Sequence, residues 1–323
     1  MSGHSWSPDG RQIAITFHHK KSLWIYEYET DPTTFRLLHR LKGHSNPITS
    51  LEWSKKHGHI VTTSTDSTAM SWTYDAHQRG WSPRLILLRS RCSDSVHFSP
   101  LENKIGIAGT KSADVYYEEN GFWFAKPARR GINAKVNCLC WHPDNILMGV
   151  GSMDKLVCVY SVLMYWEKRY VKANGSHYSS TPFGQLLFSL QVNAGVNAIS
   201  WSPSGKYLCW FTRDSMAYLM EWGNRQIHVL HCSYLPFRDC LWVNEEECVA
   251  VGYSNEPVLF CFLEGRWQVK GSLDNKKNSR EYVEVEGELP TYHQNCITSI
   301  QLKNAKTLST SGDDGNLVLW NLQ

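Results

Sequence analysis

One motif recurs along the chain and limits the folds open to it. A short apolar stretch ends in an aromatic residue and runs into Ser-Pro, His-Pro or another polar turn. It reads His4-Ser5-Trp6-Ser7-Pro8-Asp9-Gly10 first, then Leu51-Glu52-Trp53-Ser54 and Val96-His97-Phe98-Ser99-Pro100. It returns as Leu139-Cys140-Trp141-His142-Pro143 and Ile199-Ser200-Trp201-Ser202-Pro203, with weaker copies at Trp242 and Leu302. The anchors at 6, 53, 98, 141, 201, 242 and 302 are spaced by 47, 45, 43, 60, 41 and 60 residues. Short runs rich in β-branched and aromatic residues follow each anchor, such as His59 to Ser64 and Thr68 to Trp72, with turn residues between. That is the pattern of strands rather than helices. Four short strands in about 40 to 45 residues make one propeller blade, so the chain reads as an all-β, seven-bladed β-propeller filling residues 1–323.

A second register supports the reading. A polar residue sits six positions before an apolar or aromatic strand end in Asp66/Trp72, Asp154/Tyr160, Asp214/Met220, Asn255/Cys261 and Asp314/Trp320. This is the WD40 pattern, although Trp72-Thr73 and Trp320-Asn321 lack the Asp of its dipeptide. The second repeat is the fullest, with Gly43-His44, Ser64, Asp66 and Trp72. In such a blade the imidazole bridges the carboxylate and a strand hydroxyl, and the indole N–H closes a buried network. His44, Ser64, Asp66 and Trp72 are therefore expected to be structural. Ser, His and Asp are also the residue types of a hydrolase triad, but no nucleophile elbow or oxyanion hole accompanies them.

The composition removes other classes. Lys plus Arg is 33 and Asp plus Glu is 30, a net charge of +3 that gives no global field for nucleic acid or a membrane surface. No apolar run is long enough to span a bilayer, and the first ten residues carry no apolar core of a signal peptide. Ten scattered cysteines without a CxxC pair read as reduced, buried thiols in the cytoplasm and not as a zinc site. There is no P-loop, dinucleotide fingerprint or HExxH, so no catalytic residue, metal or cofactor is expected. A propeller enzyme would need carboxylates or histidines gathered at the central channel, and the sequence offers no such set.

The two 60-residue spacings imply insertions of about 15 to 20 residues, near 161–195 and 264–295. Long loops on a rigid scaffold are where function concentrates. Arg89 and Arg91 before the third repeat, and Lys126, Arg129 and Arg130 before the fourth, fall at blade crossovers. They are expected on one rim as partner contacts, against the plain alternative of solubilising charge.

The stretch Val136 to Asp154 resembles the fourth blade of the WD-repeat subunits (subunit 1) of the actin-related protein 2/3 complex. Similar pieces are Trp6 to Ile15, Leu85 to Arg89, Phe122 to Lys126 and Thr181 to Phe188. Pro182-Phe183-Gly184 is the most distinctive, because it is not generic repeat grammar. The resemblance implies a non-catalytic scaffold in an assembly that nucleates actin branches on existing filaments. It implies neighbouring subunits, the actin filament and acidic segments of nucleation-promoting factors as partners, in the cytoplasm and actin cytoskeleton. The basic rim and Pro182, Phe183 and Gly184 then become candidate contacts. Two departures stand out: few residues precede the first inner strand, which leaves the last blade without an outer strand, and Glu281 to Glu288 is a poor helix where the family has a projecting one. The alternative is another WD40 scaffold, such as a coat-type propeller completed by a partner strand.

Overall fold

The computed structural model describes residues 1–28, 35–90, 94–168, 178, 180–276 and 289–322. Its strands group into seven antiparallel sheets, each a meander ordered from the channel outwards. Blade one is β1 (Gly3–Trp6), β2 (Gln12–Thr16), β3 (Ser22–Tyr28) and β4 (Phe35–Lys42). Blade two is β5 (Ile48–Trp53), β6 (Ile60–Ser64), β7 (Thr68–Asp75) and β8 (Gly80–Leu87). Blade three is β9 (Val96–Phe98), β10 (Ile105–Ala108), β11 (Ala113–Glu119) and β12 (Phe122–Ala128). Blade four is β13 (Val136–Trp141), β14 (Leu147–Ser152), β15 (Leu156–Ser161) and β16 (Leu186–Gln191). Blade five is β17 (Val196–Trp201), β18 (Tyr207–Thr212), β19 (Met216–Glu221) and β20 (Ile227–His231). Blade six is β21 (Phe237–Trp242), β22 (Glu247–Gly252), β23 (Val258–Leu263) and β24 (Arg266–Ser272). Blade seven has three strands among the described residues: β25 (Ile297–Asn304), β26 (Thr307–Gly312) and β27 (Leu317–Asn321).

Every anchor lies on an innermost strand. The second strands, such as β14 and β18, are buried along their whole length, because both faces are covered by neighbouring blades. The turns into the third strands share one device. Ser67, Lys155, Ser215 and Asn255 have φ of 62–66°, and Gly315 takes the same role at 84°. In two of these turns the preceding Asp bonds the turn itself: Asp66 Oδ1 accepts from the Thr68 amide at 3.0 Å, and Asp314 Oδ1 from the Asn316 amide at 3.0 Å.

An apolar core fills each of the seven spaces between blades. The seam between blades seven and one is the thinnest. Among the described residues, only the apolar Trp6, Ile13 and Ile15 are buried there, with Leu317 and Leu319 of β27 partly covered. A fully buried aliphatic side chain contributes about 1.5–3 kcal/mol, so this seam relies more on polar clasps. His4 Nε2 lies 2.7 Å from Ser309 Oγ, and its Nδ1 lies 2.9 Å from Ser311 Oγ. Trp6 Nε1 donates to the same Ser309 hydroxyl at 2.8 Å. Thr298 Oγ1 donates to the Met1 carbonyl at 2.9 Å, and the Lys303 ammonium sits 3.2 Å from the Tyr28 ring centroid. The ring thus closes on side chains of the inner strands although β27 has no strand on its outer side among the described residues.

Both insertions belong to particular turns. The first joins β15 to β16 inside blade four, on the face opposite the blade crossovers, and not between blades four and five. The second, after β24, is a crossover from blade six to blade seven. Glu281 to Glu288 lie outside the described residues.

Candidate functional site

Arg89 follows β8, and Arg129 and Arg130 follow β12, so all three are exposed on the crossover face. Asp114 lies buried between the first two. Burial pushes its carboxyl up, while the Arg89 and Arg129 charges oppose the shift. The Ser112 hydroxyl donates to Asp114 at 2.8 Å, and the Arg89 amide donates to the Tyr116 hydroxyl at 2.9 Å. Burial pushes that phenol up to about 12. The Arg130 carbonyl accepts from the Tyr160 hydroxyl at 2.6 Å. These bonds fix the backbone beneath the arginines and leave their guanidinium groups in solvent. Arg91 lies outside the described residues.

Lys126 departs from this rim. It sits within β12, paired with Val115, and not in the crossover. Its ammonium lies 5.7–6.0 Å from the ring centroids of Tyr117, Tyr165 and Phe183. Two of those rings come from the blade-four insertion, so Lys126 stitches the insertion to blade three. Pro182-Phe183-Gly184 forms part of the same stitch. Gly184 turns with φ 79° and its amide donates to the Ser161 carbonyl at 2.8 Å, while Phe183 packs on the core between blades three and four. Of the three, Pro182 is the exposed residue.

The root of the insertion is held by a buried ion pair. Lys104 Nζ lies 2.8 Å from Glu167 Oε2 and donates to the Asn145 carbonyl at 2.7 Å. Glu167 also accepts from Asn145 Nδ2 at 2.7 Å, Asn103 Nδ2 at 3.1 Å and the Met164 amide at 2.9 Å. With every polar atom partnered, a buried charge pair is tolerated. It fixes the turn that presents Tyr165, 63% exposed, and Trp166, 37% exposed.

In blade two the central hydroxyl is Thr62, not Ser64. His44 Nε2 lies 2.8 Å from Thr62 Oγ1, and Trp72 Nε1 donates to it at 2.9 Å. His44 Nδ1 lies 3.2 Å from Asp66 Oδ2. Ser64 instead donates to the Asn46 carbonyl at 3.0 Å. Burial raises the Asp66 carboxyl, but bonds from Thr68 and the Ser45 amide, with the neighbouring His44, outweigh it and hold the group at about 2. All of this is enclosed, with His44 buried, so no nucleophile is presented.

A family profile described as WD domain, G-beta repeat matches residues 35–73 and 128–161. Actin-related protein 2/3 complex subunit 1A-B of Xenopus laevis is 30% identical over 351 residues, covering 99% of this chain and 93% of the relative. The chain belongs to the actin-related protein 2/3 complex subunit 1 family. Subunit 1A of Arabidopsis thaliana is 28% identical over 99% of this chain and 93% of its own. Subunit 1 of Schizosaccharomyces pombe is 29% identical over 91% of this chain and 90% of its own.

Three features of this subunit 1 chain escaped the sequence reading. Blade seven repeats the His44 network with His293, whose Nε2 lies 2.8 Å from Thr310 Oγ1 and whose Nδ1 lies 3.0 Å from Asp314 Oδ2. Trp320 Nε1 donates to Thr310 at 2.8 Å. Second, five inner strands carry a bulge at one position, occupied by Thr49, Asn137, Asn197, Arg238 and Thr298. Asn137 Nδ2 donates to the Val196 carbonyl at 2.8 Å and Asn197 Nδ2 to the Phe237 carbonyl at 3.0 Å, and each clips its blade to the next.

Third, the channel, about 840 Å³, does gather titratable groups, contrary to the expectation from sequence. His97 and Asp239 line it, and Glu52 Oε1 lies 3.5 Å from His97 Nδ1. Burial lowers His97, but the Glu52 charge prevails and leaves it raised. Burial pushes the Asp239 carboxyl up to about 6. The carboxylates serve as blade clips. Asp239 Oδ2 accepts from the Ile300 amide at 3.0 Å and Oδ1 from the Cys240 amide at 2.8 Å, and Glu52 accepts from the Phe98 amide.

Proposed function

We propose that this chain is the propeller subunit of an actin-related protein 2/3 complex. It acts as a non-catalytic scaffold in actin filament nucleation and branching in the cytoplasmic actin cytoskeleton. The observation that carries the reading is likeness along nearly the whole length of both chains to proteins named as subunit 1 of that complex. A rigid ring of seven clipped blades suits a scaffold, because its faces and insertions keep fixed relative positions. In this reading the neighbouring subunits, the actin filament and acidic segments of nucleation-promoting factors are its partners. Arg89, Arg129 and Arg130 supply the basic contacts for acidic segments, since exposed charges on a fixed backbone favour steering and register. Lys126, Phe183 and Gly184 anchor the blade-four insertion on the opposite face of the ring, where Pro182 is the member left to touch a partner.

The experiment is affinity purification of the tagged chain from its own cells, with co-purifying proteins identified and quantified. Equimolar recovery of two actin-related proteins and the small subunits supports the reading. A chain recovered alone, or with coat components, refutes it.

A further inference from the structure

The two faces of β12 have different surroundings. Trp123 and Ala125 pack into the core between blades two and three. Phe122, Phe124 and Lys126 alternate with them and share the other face. The register sets Glu119 opposite Phe122, and Tyr117 opposite Phe124, on that same face. Phe122 is 70% exposed and Phe124 46% exposed. The Phe124 ring stacks on Tyr117 with centroids 5.8 Å apart, and Trp166 rests on the same ring at 4.9 Å. Trp166 in turn meets Tyr165 edge-on at 4.8 Å. Tyr117 is thus the floor of a group of exposed rings drawn from blade three and the blade-four insertion. The buried Lys104–Glu167 pair fixes the two that the insertion supplies.

Contiguous exposed aromatic side chains mark a surface that another chain covers. An extended segment would pair with the edge of β12 and leave this face bare, whereas a helix lays an apolar stripe across it. The charges set the direction of that helix. Arg84 Nη1 lies 2.7 Å from Glu118 Oε1 and neutralises it. Glu119 at the hairpin end and Lys126 at the far end make no ion pair among the described residues. Phe122, beside Glu119, and Lys126 are four residues apart on β12, about 13 Å. A helix rises 1.5 Å per residue and spans that distance in about nine residues. We propose that this face docks an amphipathic helix of a neighbouring subunit of the complex. Its apolar stripe lies on Phe122, Phe124, Tyr165 and Trp166, a carboxylate meets Lys126, and a basic side chain about nine residues away meets Glu119. The docking site rests on membership of the complex and names one surface that membership uses.

The test is photo-cross-linking in the reconstituted complex, with p-benzoylphenylalanine in place of Tyr165 and the joined peptide mapped by mass spectrometry. Binding of the subunit so identified is then measured for the wild type, for Phe122→Ser with Tyr165→Ser, and for Glu119→Lys. All three substituted side chains are exposed, and thermal unfolding confirms that each variant folds. The cross-link is expected on one neighbouring subunit, in a segment with apolar residues at three- and four-residue spacing. The paired serines should weaken binding by about tenfold or more. Glu119→Lys should weaken it less, and reversing the partner's basic residue should restore it. If the wild-type complex assembles but position 165 joins no subunit, or the paired serines bind as the wild type does, the docking site is overturned while membership stands. If the wild-type chain enters no complex, membership fails and the docking site fails with it.

Discussion

Lowering the pH should loosen the closure seam through His4, a fully buried imidazole between the Ser309 and Ser311 hydroxyls. Burial brings it down from 6.5 to about 3, helped by the charges of His293 and Lys55. The folded protein therefore holds it neutral, whereas the unfolded chain protonates it below about pH 6.5. The stabilisation is fully present above that value and is lost as the pH falls towards 3. Between pH 7 and pH 5 the linkage amounts to about 2 kcal/mol. His44 and His293 are lowered in the same direction and form a background common to any His4 variant. Urea unfolding of wild type and His4→Gln at both pH values isolates the His4 share. The variant starts less stable at pH 7 but loses about 2 kcal/mol less on acidification. Equal losses in both proteins would refute the claim that this buried imidazole carries a pH-dependent part of the closure.

Other outcomes follow from the same geometry. Thr62→Val strands His44 Nε2 and Trp72 Nε1 and should cost about 1–3 kcal/mol in chemical denaturation, well above the cost of Ser64→Ala. Lys104→Met leaves Glu167 buried without its cation and should cost about 3–5 kcal/mol, read as a lowered unfolding midpoint. Under native hydrogen exchange, amides of β1 and β27 at the thin seam should exchange before those of the fully buried β14 and β18. Arg89→Glu with Arg129→Glu should weaken binding of an acidic activator segment and flatten its salt dependence, measured by fluorescence anisotropy.

The propeller was legible because each inner strand carries an aromatic or apolar anchor at or near its end, and the turns into most third strands hold a residue that tolerates left-handed backbone. Those demands leave marks at fixed spacing, as in Asp66 to Trp72 and Asp314 to Trp320. The choice of Thr62 over Ser64 was not legible, since residues two apart on a strand share a face and only the reach of His44 separates them. His293 was missed because Gln294 and Tyr292 flank it where a Gly-His pair marks blade two. Anchor spacing counts inner strand to inner strand, so it could not tell whether the first insertion preceded or followed β16. Likewise Glu52, His97 and Asp239 are far apart in sequence, and only the ring brings them round one channel. The crossover positions of Arg89, Arg129 and Arg130 could be read from repeat boundaries. That of Lys126 could not, because β12 extends two residues beyond it.

Membership of a working assembly is the central claim, and reconstitution tests it most directly. The remaining subunits of the same organism's complex are purified with and without this chain, and activator-stimulated assembly of pyrene-labelled actin is followed. The account predicts that the complex without the chain loses stimulated nucleation, and that the added chain enters it one-to-one and restores branching. Full activity without the chain, or failure of the folded chain to enter the complex, would contradict it.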